Sequence, residues 1–257
     1  MRLGLVTYNW GKDWDLPTLI KNCEAAGFEG VELRTTHKHG VEISLNKQQR
    51  ADVAKRFDDS PVELVVLGST CEYHSPDAAV VKKRIEETKD FIELCHDVGA
   101  SGVTVRPHGI PAGVPVEKTL AQIGKSLKEV AQHGEGFGVE IYLEIHGRGT
   151  AEIPRAKTIM DHADHPGAKV CWNCNPTDEN GKGLEANFKL VEDRLGTVHI
   201  HDLISKYPWR RLFHLLRQKK FEGWTLLEEG SPTADPARVM KYYRLLWETL
   251  AHGERGR

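Results

Sequence analysis

Residues 139–147, VEIYLEIHG, hold the unit from which the rest of the chain can be read. The run 139–144 is short, apolar and β-branched, and it ends in an acidic residue, Glu144, just before the chain reaches a glycine. Upstream, residues 116–138, VEKTLAQIGKSLKEVAQHGEGFG, carry apolar side chains at helical spacing and close on glycines. A helix that feeds a short strand with a polar last residue is therefore the pattern to look for elsewhere.

It recurs along the whole chain. Strand-like runs occur at 2–8, 30–34, 62–67, 102–106, 139–144, 169–173, 197–201 and 224–228. Between them lie amphipathic helical stretches at 16–28, where Gly27 stands at a C-cap position, and at 77–100, 116–138 and 237–252, with shorter ones at 47–57, 153–162, 184–194 and 208–219. Eight such units without a composition shift or a long linker predict a single α/β domain over residues 1–250, a closed (β/α)8 barrel. A doubly wound open sheet is the competing architecture, but no G-x-G-x-x-G follows the first strand and no Walker A sequence is present. The last stretch, 251–257, AHGERGR, has no apolar face to dock and is expected to be a flexible tail.

Composition narrows the function. The chain has 257 residues, 39% hydrophobic and 28% charged, which suits a globular protein with a full-sized core. Its 35 basic and 37 acidic residues give a net charge of -2, so no phosphate-backbone footprint is evident and nucleic acid is not the expected partner. The opening MRLGLVTYNW turns polar too early for a signal peptide, and no apolar run approaches the roughly 20 residues of a bilayer span. A cytoplasmic location without a membrane partner is the expectation. Cys23, Cys71, Cys95, Cys171 and Cys174 are odd in number and scattered, which suits reduced thiols. Cys171 and Cys174 form a C-x-x-C, but it runs into Asn-Pro rather than opening a helix, so a redox pair is not expected.

In a barrel of this kind, side chains that do chemistry project from the C-terminal ends of the strands. Those ends carry Glu144 in YLEIHG, Asn173 in VCWNCNP, His199 in TVHIHD and Glu228 in TLLEEG. Their spacings of 29, 26 and 29 residues are close to one module each, so all four are placed at one height. Singly, each would read as a solvated strand-end side chain. Jointly, two carboxylates, an amide oxygen and an imidazole suit one divalent metal ion, Mn²⁺, Mg²⁺, Co²⁺ or Zn²⁺.

Four segments carry a family resemblance: FEGVEL with Glu32, YLEIHG, TVHIHD and FEGWTLLEE. Together they resemble the xylose-isomerase-like TIM-barrel family of sugar-phosphate isomerases and epimerases, within the AP endonuclease family 2 superfamily. The resemblance implies metal ligation by Glu144, His199 and Glu228, with His201 where the family often has lysine. Asn173 stands where the family commonly has aspartate, so a neutral oxygen replaces a charged one, and Asn175 or Asp178 is a candidate substitute. It further implies that Glu144 and Glu228 act as the base and acid that move a proton through an enediolate, on a small carbohydrate.

Around that centre, Glu32, Arg34, His37, His39, Arg106, His108, His146, Arg148, His201, Lys206 and Arg210 are expected at the mouth, binding hydroxyls or anions. For any one of them a merely charged rim reads as well. Tyr8, Trp10 and Trp172 are candidates for an apolar wall against a sugar ring, or for simple core packing. Three other functions use the same scaffold: a sugar or polyol dehydratase or lyase, a catalytically silent sugar-binding barrel, and an endonuclease IV-like phosphodiesterase. The last needs several zinc ions, for which His74, His108, His146, His199 and His201 are the histidines near the mouth, and it is disfavoured by Asn173 and the near-neutral charge. The sequence is compatible with a homo-oligomer and fixes no oligomeric state.

Overall fold

A computed structural model describes residues 1–253 of the chain. The strands are β1 (Arg2–Val6), β2 (Gly30–Arg34), β3 (Glu63–Glu72), β4 (Gly102–Arg106), β5 (Glu140–Glu144), β6 (Ala168–Trp172), β7 (Leu195–Ile200) and β8 (Trp224–Leu227). Each is followed by a helix: α1 (Leu16–Ala26), α2 (Lys47–Asp58), α3 (Ala78–Asp97), α4 (Val116–Glu135), α5 (Ile153–Ala163), α6 (Leu184–Val191), α7 (Trp209–Gln218) and α8 (Pro236–His252). The strands pair in sequence order, all parallel, and β8 returns to β1 through Arg2 opposite Trp224, closing a (β/α)8 barrel.

Local chemistry sets the helix boundaries. Asp15 accepts from the Thr18 amide at the start of α1, and Gly27, at φ 71°, ends it in the left-handed conformation that a Cβ disfavours. Asn46 and Gln49 form a reciprocal capping box on α2. On α4, Leu120, Ile123, Leu127, Val130 and Ala131 are buried at helical spacing against the strands.

Most boundaries shift by one to three residues from the sequence reading, and two of the shifts bear on the site. β1 ends at Val6, two residues short of Tyr8. β3 runs five residues past 67 to Glu72, its register against β4 shifting between Gly68 and Glu72. α8 ends at His252, where the helical stretch 237–252 was expected to end, and Ala251 is buried, so the first two residues of the expected tail belong to the helix. Residues 254–257 lie outside the described residues. No described helix is long and apolar enough to cross a membrane.

Besides the apolar layer between strands and helices, a second cluster fills the barrel interior, with Val6, Val66, Tyr142, Cys171, Trp224 and Leu226 among its members. Tyr142 and Trp224 occupy its lower half, opposite glycines. A Cβ on Gly102 would fall 2.2 Å from the Tyr142 ring, one on Gly196 2.5 Å from it, and one on Gly30 2.5 Å from the Trp224 indole. The two-residue strand period then aims the next inward positions at the mouth: Glu32 above Gly30, Glu144 above Tyr142, Asn173 above Cys171, and Glu228 above Leu226.

Candidate active site at the barrel mouth

Glu144, His199 and Glu228 converge so that one ligand atom from each lies within 4.8 Å of the others. His199 Nδ1 stands 3.6 Å from Glu228 Oε2, near the ~3.3 Å ligand-to-ligand edge of a tetrahedral zinc-type shell. His199 is 1% exposed, and its other nitrogen, Nε2, is 2.9 Å from Glu32 Oε2. An imidazole that hands one N–H to a carboxylate presents the opposite lone pair in a fixed direction, the usual arrangement behind a metal-bound histidine. His199 Nδ1 and Asn173 Oδ1 are both buried without a hydrogen-bond partner. Buried polar atoms are rarely left in that state, and a divalent cation between them would satisfy both. The residues present therefore fit such an ion.

The two carboxylates are driven apart. Burial, reinforced by the negative charge of Glu228, pushes the Glu144 carboxyl up to about 7. Burial acts on Glu228 in the same sense, but the His199 ring 3.6 Å away and the Arg34 guanidinium outweigh it and hold Glu228 down to about 2. His199 is buried too, which alone would lower its pKa, yet Cys171 and the Glu32 carboxylate beside it raise it well above the ordinary range. With no ion bound, one carboxyl keeps its proton while its partner is ionised against an imidazolium.

The remaining expected residues take several places. Arg34 reaches Glu228 Oε1 at 3.2 Å, with its guanidinium 4.6 Å over the Tyr8 ring. His37 sits half-buried beside Thr7, whose hydroxyl is 3.4 Å from Nδ1. His39 is a loop staple, holding the Arg34 carbonyl and the Val41 amide. Both ring nitrogens of His201 face carbonyl oxygens, of Glu228 at 2.8 Å and Asn173 at 2.7 Å, so only the doubly protonated ring donates to both. It ties the ends of β6 and β8 together. His146 and Arg148 are exposed and line a cavity of about 470 Å³ with His74 and His108. Arg106 and His108 both reach Glu72 Oε1, at 2.8 and 3.1 Å. Lys206 and Arg210 are exposed on the segment after β7, and Arg210 lines a separate groove with Trp209 and Leu246.

Several expectations fare differently in the fold. Glu32, expected to touch substrate, is 1% exposed and commits its carboxylate to His199. Trp172, expected at the mouth, is fully buried: it packs on Phe188 and donates to Tyr207 Oη at 3.1 Å, because its neighbours 171 and 173 take the inward positions. Trp10 is buried as well and donates to the Ser231 carbonyl. Asn175 donates to the Ile145 carbonyl, and Asp178 accepts from Tyr207 at 2.7 Å, so both candidates are engaged elsewhere, and Asp178 is outside the Glu144, His199 and Glu228 group. Burial lifts Asp178 to about 7. All five cysteines are buried, and burial raises Cys171 and Cys174 above the ordinary thiol range, which leaves the C-x-x-C unreactive. Glu72 escaped the sequence reading, because GSTC before it lacks the apolar run that announces a strand.

A closed (β/α)8 barrel with a buried carboxylate and imidazole set at its strand ends defines the class of protein. The chain belongs to the xylose isomerase-like TIM barrel family, which it matches over residues 20–245. It is similar to inosose isomerase of Bacillus velezensis, 26% identical over 186 residues, a match covering 71% of this chain and 66% of that protein, just short of two thirds. Among solved structures, the IolI protein with a binding zinc atom superposes with a TM-score of 0.84 at 16% identity over 100% of both chains. D-psicose 3-epimerase in the presence of D-fructose superposes at 0.82 and 14% identity, covering 98% of this chain and 100% of that one.

Proposed function

We propose that this chain is an isomerase or epimerase of a small carbohydrate, working by proton transfer between carbon and the Glu144 and Glu228 carboxylates with the help of one divalent metal ion. The observation that carries it is the convergence of Glu144, His199 and Glu228 on one buried point, with the two carboxyls pushed in opposite directions. Likeness to an isomerase and to an epimerase structure supports the same reading.

A C–H beside a carbonyl is weakly acidic, so the reaction needs a placed base, a placed acid and stabilisation of the developing oxyanion. Glu228, kept ionised by His199 and Arg34, takes the proton. Glu144, which burial makes the more readily protonated of the two carboxyls, supplies one to the carbon or oxygen that must receive it. Glu144, His199 and Glu228 would hold the ion, with Asn173 Oδ1 as a neutral fourth donor, and when bound the ion would act as the Lewis acid for the oxyanion. Glu32 fixes the His199 ring, Arg34 keeps Glu228 charged, and Tyr142 and Trp224 exclude water from below.

Deuterium wash-in from D₂O into a panel of ketoses and inososes tests this. Exchange should appear with at least one compound and fall by roughly 10²–10⁴-fold in Glu144→Gln and in Glu228→Gln, as expected for loss of a general acid or base. Purified protein should carry Mn, Mg, Co or Zn, and each variant should hold about one ion fewer per chain than the wild type. Absence of exchange across the panel, together with absence of the ion, would refute the proposal.

A further inference from the structure

The extension of β3 creates a second cluster of ligand-type side chains, on the side of the mouth formed by β3 and β4. Glu72 lies opposite Arg106 in the strand register. His108, two residues beyond Arg106, has φ 61°, a left-handed conformation rare for a residue with a side chain, and its Nδ1 lies 3.1 Å from Glu72 Oε1. From the other flank, His74 brings its Nδ1 to 3.9 Å from Glu72 Oε2. The two imidazole rings face each other at 4.5 Å and 33°. One ligand atom from each of the three residues lies within 4.8 Å of the others.

We infer that Glu72, His74 and His108 form a second metal site, selective for a borderline-soft ion of the zinc class. The two imidazoles approach opposite oxygens of the Glu72 carboxylate, at 3.1 Å for His108 and 3.9 Å for His74, distances near the ~3.3 Å edge of a tetrahedral shell with ~2.0–2.1 Å bonds. His74 Nδ1 is shielded from solvent and has no hydrogen-bond partner, a lone pair or N–H that the protein leaves unused. Arg106 holds Glu72 Oε1 at 2.8 Å and leaves Oε2 free. That guanidinium also decides which ion fits. Mg²⁺ and Ca²⁺ need several negative oxygens, whereas one carboxylate beside a fixed cation offers them little; two imidazoles keep their affinity for Zn²⁺ or Co²⁺. Three protein ligands leave a coordination position open toward the 470 Å³ cavity lined by His146 and Arg148, where water or a substrate oxygen would sit. The two sites share no ligand, so this inference stands independently of the proposed reaction.

The test is metal content with Zn²⁺ and Co²⁺ as probes. In Glu144→Gln/Glu228→Gln protein, which lacks the first centre, equilibration and removal of free ion should leave about one Co²⁺ per chain with a visible d–d absorption, and thousandfold Mg²⁺ should not displace it. Adding His74→Ala or His108→Ala should abolish that ion. In otherwise wild-type protein, His108→Ala should lower bound Zn²⁺ by one per chain whatever the first centre holds, a reading that does not depend on the double variant folding. Retention of the same content after His74→Ala and His108→Ala, or no ion in a folded double variant, overturns the site.

Discussion

Glu32 and Asn173 set the charge of the Glu144, His199 and Glu228 centre from two directions. Glu32 supplies a negative charge at one remove, through His199, so Glu32→Gln should weaken metal affinity by ~10–100-fold, measured by chelator competition. Asn173 withholds one, and Asn173→Asp should tighten binding by roughly tenfold or more, since a tenfold gain is only ~1.4 kcal/mol against a few kcal/mol for a unit charge a few Å from an ion. Glu144 also makes metal-free protein sensitive to pH. Its carboxyl is raised from 4.5 to about 7 in the folded state, so its stabilising contribution is complete below about pH 4.5 and is lost as pH rises through 7. Chelator-treated wild type should therefore melt at a progressively lower temperature across that window, and Glu144→Gln should flatten the decline. Glu228 has the opposite sign: its contribution is complete above about pH 4.5 and is lost as pH falls from there through about 2. At this scale the sequence was readable where a polar residue ended an apolar run, as at Glu144, His199 and Glu228. It was less so for height. Glu32 ends no run, and only the barrel shows that its carboxylate lies behind the imidazole. The outward place of Trp172 was already implied by alternation, once 173 was taken as inward.

Among elements, β3 and the barrel floor carry the features that sequence periodicity hides. Gly30, Gly102 and Gly196 each stand at or near a strand start, where glycine reads as turn punctuation. In the fold their missing Cβ makes room for Tyr142 and Trp224. Gly102→Ala should destabilise by about 1–3 kcal/mol or more, read from urea unfolding, because the Tyr142 ring is confined on its other sides as well. The extension of β3 was invisible because Gly68, Ser69, Thr70 and Cys71 carry little apolar bulk. Its pairing with β4 resumes only after the register shift, and that shift brings Glu72 to Arg106.

For the molecule as a whole, counting eight strand and helix units was enough to predict closure, since each β-to-α module follows the last without interruption. What the count could not supply is how the last helix is tied to the centre. Tyr243 of α8 donates its hydroxyl to the His201 carbonyl at 2.6 Å, and Trp247 donates to Thr225 Oγ1 at 2.8 Å. Tyr243→Phe should cost about 1 kcal/mol in urea unfolding, leaving the His201 carbonyl without that donor. The aromatic floor has a kinetic corollary. With Tyr142 and Trp224 sealing one end of the cylinder, traffic to and from the carboxylates shares a single doorway. A departing product must clear that passage before the next molecule can arrive, so product should compete directly with substrate, and the rim loops alone govern how fast one replaces the other.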